Sequence, residues 1–265
     1  MYEYDNSRPP AVEDVAPPTR QGAATVRDIT YECAGDGRVS AWLVAPATGG
    51  ARAAILYLHW LGEVNSNRNE FLSEAIAMAE RGVVSLLPER LFPGVAAPAD
   101  WRSDRRSIAA QTIELRRGLD LLLAQPGVGP EAIAFVGHDY GAMDGMVLAT
   151  ADDRLKAVVF LTPDADWATW FFKYFGLPPA DEPEYRREMQ DLDPVALLPR
   201  IARTPLFLQF SDDDEYVSAE VIRQVTAAAG NANVKVYSNV GHGLVEDSVV
   251  ADRMAWLAGQ IGLAD

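Results

Sequence analysis

One cysteine, Cys33, is present among 265 residues. No intrachain disulfide can form and no cage of cysteines can hold a metal; Cys33 itself reads as a small strand residue. Long apolar runs are missing too, and none reaches the roughly 18–20 residues that span a bilayer. Residues 1–20 are polar and proline-rich, without a basic stretch followed by an apolar one. No secretory leader is visible there, and a cytoplasmic location is expected. Basic charge is scarce: 23 Lys and Arg stand against 38 Asp and Glu, a net charge of −15. That balance argues against nucleic acid and anionic membranes as partners, since both are bound by clustered Lys and Arg. The acidic surface permits a homodimer without requiring one. Histidine is also rare, with three in the chain, so the place of each is informative.

What is present is a chain about half apolar, long enough for one large core. Residues 1–22, with Pro9, Pro10, Pro17 and Pro18, read as an extended arm that either packs on the body or stays disordered. Residues 23–265 read as one domain. Thr25–Tyr31 and Val39–Val44 suit an antiparallel pair across Gly35-Asp36-Gly37. Short apolar runs follow at Ala53–Leu58, Val83–Leu87, Ala132–Val136, Lys156–Leu161, Leu206–Phe210 and Val234–Tyr237. Helical spacing falls between them, at Asn69–Arg81, Ser103–Ala124, Ala142–Thr150, Ala219–Ala229 and Val245–Ile261. The alternation predicts an α/β fold with a mainly parallel, eight-stranded sheet covered by helices on both faces. One stretch, 162–204, breaks the rhythm and carries Trp167, Trp170, Phe171, Phe172, Tyr174, Phe175 and Tyr185. A connection that long reads as a lid over the sheet's C-terminal edge.

The chemistry gathers at three places. Gly137-His138-Asp139-Tyr140-Gly141 follows a strand and precedes a helix, the setting of a nucleophile elbow, whose turn is tight enough to demand small residues around the nucleophile. Here the central residue is Asp139. Downstream, Leu206–Phe210 runs into Ser211-Asp212-Asp213-Asp214-Glu215-Tyr216-Val217, where Asp214 is the best-spaced acid to orient a histidine and Asp212 the runner-up. Adjacent carboxylates also suit a plain solvated turn. His242 then stands in a glycine-flanked loop, Gly241-His242-Gly243, after the last strand. An imidazole held in one tautomer by a carboxylate is a general base. The backbone amides of Trp60 and Tyr140 are the expected oxyanion donors, while His59 and His138 are expected to serve structure.

Past the arm, the chain resembles the α/β-hydrolase superfamily, whose order of nucleophile, acid and histidine it shares. The His59-Trp60 loop and the Gly241-His242-Gly243-Leu244 close look most like the dienelactone hydrolase branch. That branch carries cysteine or serine at the position of Asp139. Gly137-His138-Asp139 is instead similar to soluble epoxide hydrolases and fluoroacetate-type dehalogenases, which implies an aspartyl nucleophile and no cofactor.

A carboxylate attacking an ester carbonyl gives a mixed anhydride, which collapses back; attack on a saturated carbon gives an ordinary ester. The expected substrate is therefore a small epoxide or organohalide, the epoxide being preferred. Leaving-group stabilisers would come from Trp60, Tyr140, Trp167, Trp170, Tyr174 or Tyr185, all of which also suit plain packing. Arg90 and Glu63 are candidate substrate contacts, with surface ion pairing as the alternative, and Asp144 and Asp164 are weaker candidates. Three other readings stand beside it: a non-hydrolytic protein in which Asp139 is a base or binding carboxylate, a dienelactone hydrolase-like esterase variant, and a non-enzymatic protein that binds a hydrophobic ligand in the pocket, against which the pairing of Asp214 with His242 counts.

Overall fold

The computed structural model describes residues 2–35, 37–61, 67–201 and 203–263. Six strands form its centre: β5 (Ala53–Leu58), β6 (Val83–Pro88), β7 (Ile133–His138), β8 (Ala157–Leu161), β9 (Leu206–Ser211) and β10 (Asn233–Tyr237). They lie parallel in the order β6-β5-β7-β8-β9-β10. The first five are buried at every position, which is why they read as unbroken apolar runs rather than alternating ones. β10 is the edge, and it carries the exposed Lys235 that discourages further pairing.

On the other side β4 (Arg38–Pro46) joins β6 antiparallel, and β3 (Ala24–Glu32) joins β4. The arm then departs from the eight-strand expectation. Val12–Asp14 (β1) and Thr19–Gln21 (β2) both pair antiparallel with β3, making ten strands among the described residues. Pro9, Pro10, Pro17 and Pro18 flank these short strands without interrupting them. Arg8 to Glu32 and Arg27 to Asp14, each at 2.8 Å, fasten the arm further.

Helices cover both faces. On one lie α2 (Trp101–Leu123) and α3 (Tyr140–Ala151), which bury Leu115, Leu119, Leu122, Met143 and Met146. α2 starts at an Asp100–Ser103 capping box that satisfies its first amides. On the other face α1 (Leu72–Glu80) and α8 (Asp247–Gln260) bury Ala75, Met78, Val249 and Leu257, while α7 (Ala219–Ala229) precedes the edge strand. The segment after β8 is helical: α4 (Trp167–Tyr174), α5 (Glu182–Met189) and α6 (Pro194–Leu197). It extends the first core with Trp167, Trp170 and Phe171, all buried. The carboxyl ends of β7, β9 and β10 therefore open together beside α4.

Candidate active site

Asp139 occupies the turn between β7 and α3 with φ 55° and ψ −120°, a conformation that non-glycine residues adopt at a cost of roughly 1–3 kcal/mol. The surroundings enforce it. Its N–H donates to the Leu161 carbonyl at 2.9 Å, and its own carbonyl accepts from Ala142 and Met143 at 3.0 and 3.1 Å. A Cβ on Gly137 would lie 2.4 Å from the Gly141 carbonyl oxygen, and one on Gly141 would lie 2.3 Å from that of Leu58. The carboxylate thus stands above the sheet at the N-terminus of α3, where the helix dipole favours negative charge.

Its partners arrive from the next strand ends. Asp214 receives the His242 ring, Nδ1 lying 2.8 and 3.0 Å from its two oxygens. Asp214 Oδ1 also accepts from the Tyr216 and Val217 amides at 2.8 and 3.0 Å. Burial pushes the Asp214 carboxyl up, but His242 and those amides hold it below its ordinary value. His242 Nε2 then lies 3.5 Å from Asp139 Oδ2, a close charge contact rather than a well-formed hydrogen bond. Burial disfavours charge on this ring, yet Asp139 and Asp214 together raise it to about 9. Asp212 faces elsewhere, accepting from the Ser238 hydroxyl at 2.6 Å and the Asn239 amide at 3.2 Å. Asp213 accepts from the Gly241 amide at 3.0 Å. The three adjacent carboxylates thus have three separate tasks, and the ring belongs to Asp214.

In front of Asp139 lies a cavity of about 300 Å³, lined by Trp60, Leu61, Tyr140, Trp170, Tyr174, Phe175 and Tyr216. The Tyr140 hydroxyl and the Trp170 Nε1 are buried without a hydrogen-bond partner among the described residues. So is Asp139 Oδ1. Burial and the Asp139 charge push the Tyr140 phenol far above its usual value, so it stays a donor.

Several expected contacts fall outside this cavity. Trp167 spends its indole N–H on the Leu192 carbonyl at 2.9 Å, and Tyr185 donates to Asp104 at 2.7 Å. Arg90 is neither a surface residue nor a wall of the cavity. It is 1% exposed, its Nε donates to the Pro93 carbonyl, and its guanidinium lies 5.6 Å from the Tyr140 ring centre. Burial lowers its basicity while Asp144 and Asp139 oppose that. Asp144 is wholly buried beside it and pushed well up, and burial raises Asp164 to about 7. Glu63 lies outside the described residues.

The oxyanion expectation is half overturned. The Trp60 amide donates to Glu70 Oε2 at 2.8 Å and is committed there. The Tyr140 amide opens α3 and has no intrahelical acceptor. Leu61, next in the loop, lines the cavity. Glu70, Leu61 and Tyr216 are site residues that the sequence reading missed. Tyr216 sits within the Asp214 loop and packs edge-on to His242 at 4.8 Å, so nearness in sequence was a usable signal. Glu70 offered none, being one more acid ahead of a helix.

An esterase from an Arctic intertidal metagenomic library is similar in fold, at 18% identity over 92% of this chain and 97% of that one, TM-score 0.68. The acetyl xylan esterase of Paenibacillus sp. R4 shares 17% identity over 96% and 90%, TM-score 0.74. A protein of Klebsiella pneumoniae subsp. pneumoniae, provisionally called a dienelactone hydrolase, shares 12% over 91% and 99%, TM-score 0.65. These likenesses establish the α/β-hydrolase fold. No curated protein matches the chain. The model of the prolyl oligopeptidase family matches residues 111–263, a stretch that carries Asp139, Asp214 and His242, and the chain belongs to that family.

Proposed function

We propose that the protein is a hydrolase that uses Asp139 as nucleophile and passes through an alkyl-aspartyl ester, acting on a small epoxide or organohalide. One observation carries this reading. Asp139 Oδ1 is buried, has no hydrogen-bond partner among the described residues and belongs to a residue lining the cavity, while Oδ2 of the same carboxylate leans toward His242. A desolvated carboxylate oxygen held in that way is a nucleophile for saturated carbon.

In the first step Asp139 forms a C–O bond and the leaving group departs with its electron pair. An epoxide oxygen leaves as an alkoxide, received by the Tyr140 hydroxyl; a halide leaves as the anion, received by the Trp170 N–H. Neither donor has a partner among the described residues. The epoxide stands first because Tyr140 directly follows the nucleophile. Esterification also neutralises Asp139, one of the two carboxylates that keep His242 protonated. The imidazolium then gives its proton to the alkoxide or to solvent and becomes a neutral base. In the second step His242 takes a proton from water, and the hydroxide adds to the Asp139 carboxyl carbon. The Tyr140 and Leu61 amides receive the oxyanion. Collapse releases the alcohol, which recovers the proton from His242. Under this reading the α4–α6 segment is the lid, holding Trp170, Tyr174 and Phe175 over the nucleophile.

The esterase neighbours favour a second reading, in which Asp139 assists water in attacking an ester carbonyl. The His242→Gln variant separates the two. Incubated with panels of epoxides and organohalides, it is expected to gain a covalent mass on Asp139: the whole epoxide, or the halide less HX. No adduct across both panels, together with ester hydrolysis by the wild type that Asp139→Asn abolishes, would favour the second reading.

A further inference from the structure

His242 lies in the loop between β10 and α8, flanked by Gly241 and Gly243, and Gly241 has φ 60°. Such a loop does not hold a base in place by its own stiffness. Its Nδ1 side is fixed by Asp214 and its Gly241 amide by Asp213. The backbone of His242 itself is held from a different direction. The His138 ring lies 5.0 Å from the His242 ring, and its Nε2 meets the His242 carbonyl oxygen at 3.0 Å. His138 Nδ1 meets Glu70 Oε1 at 2.6 Å, and Glu70 Oε2 accepts the Trp60 amide. A carbonyl oxygen only accepts, so His138 Nε2 carries hydrogen, and a second hydrogen between Nδ1 and Glu70 Oε1 fixes which way the ring faces.

We infer that Glu70 and His138 are positioning residues, a strut that sets where the His242 imidazole stands relative to the Asp139 carboxyl carbon and keeps the Trp60 amide out of the oxyanion site. Neither residue touches the reacting atoms. A parallel link runs from the same stretch of chain: Glu74 Oε2 binds Arg253 Nε at 2.7 Å, and Arg253 Nη1 donates to the Leu244 carbonyl at 3.2 Å. Glu70 and Glu74 therefore brace the loop on either side of Gly243. His138 is completely buried, so its place in the strut cannot be taken by water without opening the core. Among the described residues, the groups that face the His242 ring are Asp139, Asp214 and His138, with Trp60, Trp170 and Tyr216 around it.

The strut predicts a hierarchy among variants. Glu70→Gln keeps it: the Gln carbonyl accepts the Trp60 amide, its NH₂ donates to His138 Nδ1, and His138 still donates to His242. Glu70→Ala removes the anchor, and His138→Phe fills the ring volume without either hydrogen bond. Three histidines make the imidazole NMR spectrum simple, and His242 is identified by its loss in His242→Gln. The ring is expected to titrate at about 9 in the wild type and to stay near that in Glu70→Gln. In Glu70→Ala and His138→Phe it should fall by about one unit or more as the ring slackens away from its carboxylates. Unshifted titration in both folded variants would overturn the strut, and this measurement requires no substrate. A kinetic arm rests on the proposed alkyl-ester reading: in Glu70→Ala the Asp139 adduct should form at the wild-type rate and persist about tenfold longer. Faster turnover in Glu70→Ala would instead mean that Glu70 plugs the hole, and would also overturn the strut. Absence of any adduct, even in His242→Gln, would remove the chemical reading and leave the titration to decide this one.

Discussion

The turn at Asp139 closes only because Gly137 and Gly141 leave room for the backbone packed around it. A strand, two glycines and a helix around Asp139 announce a strained turn, but nothing local says that Gly141 presses on the Leu58 carbonyl. Gly141→Ala would bring a Cβ within 2.3 Å of that oxygen. We expect a loss of about 2–4 kcal/mol in denaturant unfolding, at or above the usual range for overpacking because the obstacle is backbone. Asp214 was separable from Asp212 and Asp213 by spacing, whereas the tasks of its two neighbours are set only in the folded loop, by Ser238, Asn239 and Gly241. His242 carries the pH dependence. Its folded value of about 9 lies above an ordinary histidine's 6.5, so its charged form stabilises the fold. That contribution is complete below about pH 6.5, declines as pH rises and is lost above about 9. Thermal unfolding of the wild type should therefore weaken between pH 6.5 and 9, and Asp139→Asn, which removes one of the two carboxylates, should flatten the decline. Equal slopes in the two proteins would contradict the assignment.

Among elements, the buried strands β5 to β9 were the easiest to read, because a strand covered on both faces shows an unbroken apolar run. The arm was harder. Strands of three residues carry almost no periodic signal, and β1 and β2 exist because β3 offers them an open edge. The aromatic stretch after β8 was marked by composition, yet which rings faced Asp139 depended on how α4 turned. Trp167 and Trp170 are three residues apart and both buried, but one donates to the Leu192 carbonyl and the other, at the cavity, has no N–H partner among the described residues. The two are expected to separate experimentally. Trp167→Phe should cost about 1–3 kcal/mol of stability, because it strands a buried carbonyl, and leave the alkylation rate unchanged. Trp170→Phe should slow alkylation by organohalides about tenfold or more, by loss of a preorganised donor, with little change in stability. Pre-steady-state adduct formation and urea unfolding, measured on both variants, check the pair. Equal alkylation by the two would place the leaving group elsewhere.

Across the whole molecule, chain order was informative because each step along it is also a step across the sheet. Asp139, Asp214 and His242 follow β7, β9 and β10, parallel strands whose carboxyl ends lie on one side of the fold. Contacts that run against that order were illegible. Glu70 reaches His138 across 68 positions and His138 reaches the His242 carbonyl across 104, and neither separation follows from any period in the chain. The global charge of −15 likewise said nothing about Arg90, buried against the Tyr140 ring. The central claim is that water attacks a carboxyl carbon of the protein and never the substrate. Single-turnover hydrolysis in H₂¹⁸O, with enzyme in excess over a substrate found by trapping, tests this most directly. Mass spectrometry of the Asp139 peptide should show ¹⁸O in the carboxylate and ¹⁶O in the alcohol product; ¹⁸O in the product with an unlabelled Asp139 would contradict the account.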